Sequence, residues 1–276
     1  MKSSIAIQGI LGSFHHQAAK EYFGEFNEIV ECMSFDDVVR DLLRQKADKG
    51  IMAIENSIAG SIIPNYALID SNQLQITGEH YLKINHNLMA LPGQVIEEIT
   101  EVYSHPMALL QCSVFFGKYP HIKLIESVDT AETAKRIQEK QLKGVGAIAS
   151  ETAAAMYGLT IVASRIHTIQ NNFTRFVVIS AKREEALLSS QINKASIKFV
   201  LEDTPGSLAT LLNVLNNCQL NLTKIQSLPV IETPFKYSFF VDVIFENYSY
   251  FEKAKKIITM MVSEFKVLGE YKNRQL

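Results

Sequence analysis

Short apolar runs alternate repeatedly with amphipathic segments that begin at polar residues along the first 165 residues. The run Ile5-Ala6-Ile7 and residues 146–149 are typical of buried strands. Ser34 and Asp37 have the spacing of a capping box, and the apolar residues after them recur at helical intervals, so a helix is predicted there. Repeated alternation of strands with helices is the pattern of an α/β fold. We therefore predict an α/β architecture for this part of the chain.

A longer alternating stretch at residues 81–91 interrupts the series and predicts a strand that crosses between two lobes. Near the middle of the chain, Asn172-Phe173-Thr174-Arg175-Phe176 leads into an apolar strand. If that strand returns to the first lobe, the chain crosses twice and the lobes enclose a cleft. Polar side chains at strand ends would then meet in the cleft, namely Asn56, Ser57, Ser104, Gln111, Thr174 and Arg175.

The C-terminal part is predicted to form a separate small unit. Residues 181–194 are polar and charged, which is typical of a linker. Strands are expected at residues 197–201, 222–230, 237–245 and 266–271, with helices after Pro205-Gly206-Ser207 and at residues 251–265. This β-α-β-β-α-β order is the ferredoxin-like arrangement. We therefore predict a domain at residues 1–182, a linker at 183–194 and a second domain at 195–276.

Composition and charge exclude several classes of partner and site. The chain has 27 Lys and Arg against 29 Asp and Glu, so no basic surface for nucleic acid or an anionic membrane is expected. The N-terminus lacks the apolar core of a signal peptide, and no apolar run reaches the roughly 18 residues that span a bilayer, so a cytoplasmic protein is expected. Three distant cysteines and the adjacent His15 and His16 suggest neither a disulfide nor a metal site.

Four segments of the chain, taken in order, are similar to one enzyme family. They are Gly9-Ile10-Leu11-Gly12-Ser13-Phe14, residues 53–61 from Ala53 to Ser61, residues 104–112 from Ser104 to Cys112, and Asn172-Phe173-Thr174-Arg175-Phe176. Together they resemble the prephenate dehydratases, whose signature is Asn-x-Thr-Arg-Phe, followed by an ACT regulatory domain. The resemblance implies a two-lobed catalytic domain of the type II periplasmic-binding-protein-like fold. No chorismate mutase helices precede it, which implies a monofunctional enzyme.

The resemblance also implies a reaction and a set of site residues. A prephenate dehydratase is a lyase of phenylalanine biosynthesis that converts prephenate to phenylpyruvate, with no cofactor or metal. By resemblance, Thr174 lies at the leaving hydroxyl. The residues expected to bind the substrate are Asn56, Ser57, Ser104, Gln111, Asn172, Arg175 and Phe176. Ser57 and Ser104 are expected at helix N-termini that face the carboxylates, and Glu55 and His105 are expected to support the binding residues.

Phenylalanine is the expected effector of the C-terminal domain. Many dehydratases have Gly-Ala-Leu where this chain has Gly206-Ser207-Leu208, and Glu-Ser-Arg-Pro where it has Gln226-Ser227-Leu228-Pro229. The second difference removes two opposite charges together, so neither charge is left without a partner. The effector is expected at Gly206, Ser207, Leu208, Asn221, Gln226 and Ser227. An exposed sheet edge predicts a homodimer or homotetramer.

Alternative interpretations remain open at this point. Ser57, Ser104 and Ser150 serve equally well as plain helix caps without a ligand. Arogenate dehydratase differs only in the amino group of its substrate, and nothing in the sequence excludes it. A non-catalytic sensor on the same fold is a third interpretation, because a fold does not fix a function. The segment Thr174-Arg175-Phe176 argues against the sensor.

Overall fold

The computed structural model of the chain describes residues 3–182, 188–230, 233 and 236–274. Residues 1–60 and 81–176 pack into one compact unit, and residues 61–80 and 177–276 into a second. No helix within the described residues is long and apolar enough to cross a bilayer. The five residues at 183–187 of the predicted linker lie outside the described residues.

Residues 3–129 contain eight strands and five α-helices. They are β1 (Ser4–Gln8), α1 (Phe14–Phe23), β2 (Glu28–Cys32), α2 (Phe35–Leu43), β3 (Lys49–Asn56), β4 (Gly60–Ser61), α3 (Ile63–Ser71), β5 (Gln75–Lys83), β6 (Asn87–Ala90), β7 (Glu101–Ser104), α4 (Pro106–Gln111), α5 (Ser113–Phe116) and β8 (Lys123–Glu126). Strands and helices alternate from β1 to β3, as the sequence predicts, whereas three strands follow one another from β5 to β7.

The described residues of the second half contain four helices and seven strands. They are α6 (Thr130–Lys140), β9 (Val145–Ala149), α7 (Glu151–Met156), β10 (Thr160–Ala163), β11 (Phe173–Ser180), β12 (Lys194–Val200), α8 (Ser207–Asn217), β13 (Asn221–Pro229), β14 (Tyr237–Ile244), α9 (Tyr248–Met261) and β15 (Glu264–Tyr271).

The first lobe of the first unit is built around a parallel sheet. Strand β1 pairs with both β2 and β3 in parallel, and Ile5 lies opposite Ile29 in one pairing and Lys49 in the other. The capping box before α2 is confirmed, because the Ser34 hydroxyl accepts the Asp37 N–H and the Ser34 N–H bonds the Asp37 carboxylate. The cap starts the helix at the point where its apolar side turns toward the sheet.

The second lobe of this unit contains a five-stranded mixed sheet in the order β10-β6-β9-β7-β8. Strand β7 runs parallel to β8 and β9, whereas β6 runs antiparallel to β9 and β10. Its core includes Leu88, Val102 and Ile148, none of which is exposed. The α/β class predicted from the alternating pattern is therefore confirmed, and the sheets are mixed.

The prediction of one continuous strand over residues 81–91 is wrong. Strand β5 ends at Lys83 and β6 begins at Asn87, and the two strands belong to different sheets. At the break, the Ile84 N–H bonds the carbonyl of Asn172 at 2.8 Å, one residue before β11 begins. The alternating sequence shows strand character on both sides but carries no signal for this long-range hydrogen bond.

The C-terminal elements of the second unit have the predicted order β-α-β-β-α-β, from β12 to β15. Their strands form an antiparallel sheet in the order β13-β14-β12-β15. Helices α8 and α9 share an apolar core with one face of this sheet, and the core includes Phe199, Leu211, Val243 and Phe251. Helix α9 begins earlier than predicted because the Asn247 side chain caps it by accepting the Ser249 N–H.

Residues 61–80 pack with the C-terminal elements in the second unit, whereas the sequence analysis places them in the first domain. The Asp70 carboxylate at the end of α3 accepts hydrogen bonds at 2.7 Å from both Lys198 on β12 and Lys266 on β15. The Glu79 carboxylate lies 2.8 Å from the Lys194 ammonium, and both side chains are buried. Lys194 therefore belongs to β12 and not to a linker.

Strand β15 approaches β5 very closely at Gly269. Gly269 lies opposite Ile76 in a parallel pair, and a Cβ atom at this position would lie 2.1 Å from the Ile76 carbonyl oxygen. That separation is far below contact distance, so only glycine permits the two backbones to approach this closely. The close approach helps to hold residues 61–80 against the C-terminal strands.

Candidate active site

The ends of two neighbouring strands, β3 and β11, hold the polar residues that the sequence analysis selects. Asn56 is the last residue of β3, and Thr174 is the second residue of β11. The turn after β3 is fixed to β11, because the Ser57 N–H bonds the Phe173 carbonyl at 2.8 Å and the Ser57 hydroxyl accepts the Phe173 N–H at 2.9 Å. The two strand ends therefore form one rigid edge on which side chains are held in place.

The Asn56 side chain is the centre of a hydrogen-bond network. Its Oδ1 atom accepts the backbone N–H groups of Ile58 and Ala59, at 3.0 and 2.9 Å. Its Nδ2 atom donates to Asn172 Oδ1 at 2.7 Å. The same atom lies 3.0 Å from Thr174 Oγ1 and 3.2 Å from the backbone carbonyl of the residue before Thr174. Every polar atom of the Asn56 side chain is therefore engaged in holding this edge together.

The network continues from Asn172 into the second lobe of the same unit. Asn172 Nδ2 donates to Gln111 Oε1 at 2.9 Å, and Gln111 is the last residue of α4. Gln111 Oε1 also lies 3.0 Å from Nε2 of His86, just ahead of β6. Asn172 is fully buried, so it connects the other residues and is itself shielded from solvent. Hydrogen bonds thus link Thr174 to His86 through Asn56, Asn172 and Gln111.

The Thr174 side chain is buried, with 8% of its surface exposed. Within the described residues, its hydroxyl has one hydrogen-bond partner, the Asn56 amide. The amide occupies a lone pair of the oxygen, so the hydroxyl hydrogen is left for another acceptor. A hydroxyl held in this way can donate to a bound molecule at the strand ends.

Arg175 and Phe176 follow Thr174 on β11 and are also buried. Successive side chains of a strand point to opposite faces, so Arg175 extends away from the face that carries Thr174. Phe176 lies on the Thr174 face and packs edge-on against the ring of His15, with the ring centroids 5.0 Å apart. Burial lowers the pKa of His15 to about 3, so this histidine is neutral at neutral pH. Phe176 and His15 form an apolar support beneath the strand end.

Two predicted helix caps are wrong. Ser57 lies in the turn after β3, and the next helix begins only at Ile63 with Ile62 as its N-cap. Ser104 is the last residue of β7, and the cap of α4 is the following residue, His105, whose ring nitrogen accepts the Met107 N–H. The reason is Pro106, which occupies the first helical position and so makes its predecessor the cap. Ser150 caps α7 as expected.

Ser104 lies deeper than a substrate-binding residue would. It is fully buried, and its hydroxyl donates to the Ile148 carbonyl of the neighbouring strand at 2.7 Å. Ser57 is exposed, and its hydroxyl donates to the Asn171 carbonyl at 3.2 Å. Glu55 precedes Asn56 on β3 and is partly buried. His105 is exposed at the start of α4. Of these four residues, Ser57 and Glu55 lie beside the network.

The two lobes of the first unit touch near this edge. The Ser150 hydroxyl donates to the Gly12 carbonyl at 2.7 Å, and the Tyr157 hydroxyl donates to the Leu11 carbonyl at 2.6 Å. Gly9 has a φ angle of 92°, and a Cβ atom there would lie 2.7 Å from Asp129 Oδ2. Burial raises the pKa of Asp129, whose carboxylate caps α6. The glycine turn after β1 therefore allows the close contact between the lobes.

Sequence reasoning missed two buried histidines of the site. His86 and His167 are 5% and 2% exposed, and their rings meet edge-on with centroids 5.7 Å apart. His86 lies between two strands, and His167 lies in the irregular segment before β11, so neither falls in a recognisable motif. Only their long-range contacts reveal them. No group of three or more potential metal ligands occurs within residues 3–182, 188–230, 233 and 236–274.

A family model and curated relatives identify the family of this chain. Residues 5–184 match the family model described as prephenate dehydratase. An Arabidopsis thaliana protein named arogenate dehydratase/prephenate dehydratase 2, chloroplastic, is 38% identical over 97% of this chain and 72% of its own length. A bifunctional chorismate mutase/prephenate dehydratase of Aquifex aeolicus strain VF5 is 36% identical over 98% of this chain and 74% of its own.

A solved structure has the same fold over the whole chain. It is a prephenate dehydratase from Arthrobacter aurescens in complex with L-Phe, and its TM-score is 0.87 at 23% identity. The similarity covers 98% of this chain and 90% of the other.

Proposed function

This chain belongs to the prephenate dehydratase family, and on that premise we propose that the network around Thr174 is the site at which it converts prephenate to phenylpyruvate. The observation that carries the proposal is the Thr174 hydroxyl, which accepts a hydrogen bond from Asn56 and has no acceptor of its own within the described residues. It lies at a strand end beside amides from both lobes. The enzyme is a lyase.

The reaction sets clear demands on such a site. The bond from the ring to its carboxylate breaks, CO2 leaves, and the electron pair enters the ring. The bond from the opposite ring carbon to its hydroxyl then breaks, and the oxygen takes up one proton and leaves as water. The ring becomes aromatic, so the elimination is strongly favourable once the hydroxyl departs. A donor aimed at the leaving oxygen is the group that lowers the barrier.

We assign that donor to Thr174. An alcohol is a poor acid, so its hydrogen bond stabilises the departing oxygen, and the proton reaches the oxygen through a relay or from solvent. Asn56 holds the hydroxyl in place because the amide occupies one of its lone pairs. Asn172 is predicted from the sequence to contact the substrate, but it is fully buried. We therefore assign it the role of holding the side chains of Asn56 and Gln111 in place. Ser104 supports the site from β7.

The two substrate carboxylates need positive charge and N–H donors. Arg175 is buried next to Thr174 on β11, and a guanidinium in such surroundings attracts an anion even without touching it. The Nε2 amide group of Gln111 has no acceptor within the described residues, so it can donate to the substrate. Ser57 lies exposed at the mouth of the site, with Glu55 adjacent, and Phe176 supports the strand end against His15.

Arogenate is the second candidate substrate, because the Arabidopsis thaliana relative carries both activities in its name. It differs from prephenate by an amino group in place of the side-chain keto group, outside the ring that becomes aromatic. We propose prephenate as the substrate. The test is to incubate the purified protein with each substrate in excess chelator and to identify phenylpyruvate or phenylalanine by mass. Faster formation of phenylpyruvate is expected, and failure to turn over either substrate would overturn the proposal.

We further propose that the C-terminal elements are an ACT regulatory domain that binds phenylalanine. Their order and their antiparallel sheet support it, together with the L-Phe complex of the Arthrobacter aurescens enzyme. Gly206, with a φ angle of 82°, opens α8, and Ser207 and Leu208 form its first turn. Gln226 and Ser227 lie at the same end of the sheet, because β13 and β12 both pair antiparallel with β14.

Asn221 supports a homodimer. It lies opposite Ile244, at the end of the sheet where β12 begins, whereas Gly206 follows the end of β12. These two ends are about seven residues apart, or roughly 23 Å of extended strand. One chain therefore cannot bring Asn221 to Gly206. Strand β13 is the edge of the sheet, and antiparallel pairing with β13 of a second copy would bring the partner's N-terminal end of that strand to Gly206.

A further inference from the structure

The hydrogen-bond network that starts at Thr174 ends at His86, a residue that the proposed chemistry does not use. His86 is 5% exposed, and its Nε2 atom lies 3.0 Å from Gln111 Oε1. Its backbone is fixed by two long-range bonds, from its N–H to His167 Nδ1 at 3.3 Å and from the Ile166 N–H to its carbonyl at 2.9 Å. The ring of Phe14 packs edge-on against it. The imidazole is therefore held in one orientation.

The direction of every hydrogen bond in the network follows from the backbone at Asn56. Two backbone N–H groups, those of Ile58 and Ala59, point at Asn56 Oδ1, so this atom must be the oxygen and its neighbour the nitrogen. Asn56 Nδ2 then donates to Asn172 Oδ1 and to Thr174 Oγ1. Asn172 must consequently present its nitrogen to Gln111, whose Oε1 atom accepts.

The same logic fixes the protonation of His86. Gln111 Oε1 is an acceptor, so the imidazole nitrogen that faces it must carry the hydrogen. If Gln111 were turned by 180°, its amide group would face the Asn172 Nδ2 donor, and two donors would be in contact. His86 Nδ1 is buried and has no hydrogen-bond partner among the described residues, so a second proton there would find no acceptor. Burial accordingly lowers the pKa of His86 to about 4.

We propose that His86 is a positioning residue for the reaction, one that acts through Gln111 as the neutral Nε2–H tautomer. By donating to Gln111 Oε1, His86 turns the Gln111 amide group toward the substrate. In this orientation Gln111 Oε1 also accepts the hydrogen bond from Asn172 Nδ2, whose direction is set by Asn56. The inference rests on the proposed function of the Thr174 network.

Two substitutions separate positioning from simple packing. His86→Leu keeps an apolar side chain of similar size but removes the donor, whereas His86→Gln retains an N–H group close to the position of Nε2. We expect His86→Leu to lower kcat by about 10- to 100-fold with a smaller change in KM, and His86→Gln to recover most of the loss. His121→Leu, which changes an exposed histidine outside the site, is the matched control and should leave kcat unchanged.

A double-mutant cycle with Gln111→Ala tests the route of the effect. If His86 acts through Gln111, His86→Leu should cause no further loss of kcat once Gln111 is alanine. Fully additive losses in folded variants would show that His86 only packs the core and would overturn the proposal. The same conclusion would follow if His86→Leu had wild-type kcat, or if His86→Gln were as slow as His86→Leu at equal stability.

A measurement on the wild-type protein tests the tautomer without turnover. The ¹⁵N chemical shifts of the imidazole ring distinguish Nε2–H, Nδ1–H and the imidazolium form. His86 should remain Nε2–H between about pH 5 and about pH 9. A Nδ1–H form, or protonation of His86 near pH 6.5, would overturn the proposal even if prephenate is consumed. Absence of turnover by the wild type would instead overturn the proposed function, and with it the positioning role of His86.

Discussion

Asn56 donates a hydrogen bond from its Nδ2 atom to the Oγ1 atom of Thr174, and the two atoms are 3.0 Å apart. The direction of this bond is set by the protein backbone, because the N–H groups of Ile58 and Ala59 bind the oxygen of the same amide. The Thr174 oxygen therefore accepts on one side and can donate on the other. The three-residue turn after β3 thus determines the direction in which the hydroxyl hydrogen of Thr174 points.

Asn56→Asp should lower kcat for prephenate by at least about 100-fold, the usual effect of removing one oriented donor. Aspartate keeps an oxygen for the two backbone N–H groups but presents a second oxygen to Thr174, which would then donate to the carboxylate and not to the substrate. The added charge should also raise KM for a dianion. Steady-state kinetics measures both effects. Asn27→Asp, at the end of α1, is the control, and a kcat for Asn56→Asp equal to that of the control would contradict the assigned bond direction.

The polar residues of the site were largely predictable, whereas their arrangement was not. Asn56, Gln111, Asn172 and Thr174 all fall in the segments that resemble the family, and the structure joins them in one network. His86 was not predicted as a site residue because its role depends on a contact with Gln111, which is 25 positions away in the sequence. Local patterns report periodicity and caps, and they carry no information about which strand end meets which helix.

The errors in the fold have the same origin. A serine before an apolar run predicts a helix cap, yet at Ser57 the backbone turns back to pair with β11. Lys194 has the polar character of a linker residue, but Glu79 neutralises it from a position 115 residues earlier. Strand order and helix spacing follow from periodicity, and such pairings follow only from the tertiary structure.

Lys194→Met should lower the free energy of unfolding by about 3–5 kcal/mol, because it removes the cation that lies against a buried carboxylate. The Lys194 and Glu79 side chains are 1% and 0% exposed, so solvent cannot replace the lost partner. Urea unfolding of the full-length protein measures the change. The double variant Lys194→Met with Glu79→Leu should recover most of the stability. A loss below about 1 kcal/mol in the single variant would show that the pair behaves as a solvent-exposed one.

The stability of the protein should fall below about pH 6.5. Burial lowers the pKa of His15 to about 3 and that of His86 to about 4. Below pH 6.5 the unfolded chain binds protons at these histidines while the folded chain does not, so each histidine removes about 1.4 kcal/mol per pH unit until its folded-state pKa is reached.

Denaturant unfolding at about pH 7 and about pH 5 tests this linkage. His15→Leu should make the loss of stability between the two pH values smaller by about 2 kcal/mol. His121→Leu, which replaces an exposed histidine by the same residue, is the control variant. An unaltered slope in His15→Leu would mean that His15 is protonated in the folded state.

Phenylalanine should bind the full-length protein and inhibit it. If Asn221 of one copy contacts an effector near Gly206 of another, Asn221→Ala should weaken binding by about 10- to 100-fold, the usual loss for a hydrogen bond to a charged group. Its kcat without effector should stay unchanged. Calorimetry measures the binding, with Asn216→Ala on α8 as the control. No heat of binding at millimolar phenylalanine would contradict the regulatory role of the C-terminal elements.

The most direct measurement is kcat for phenylpyruvate formation by Thr174→Ala, beside Thr174→Ser. The alanine variant should lose about 10²- to 10⁴-fold in kcat with KM nearly unchanged, because the hydroxyl acts on the leaving oxygen in the transition state. The serine variant should recover part of the loss, since it keeps the hydroxyl that Asn56 orients. An alanine variant that is folded and turns over at the wild-type rate would contradict the assignment of Thr174, and with it the account of the site.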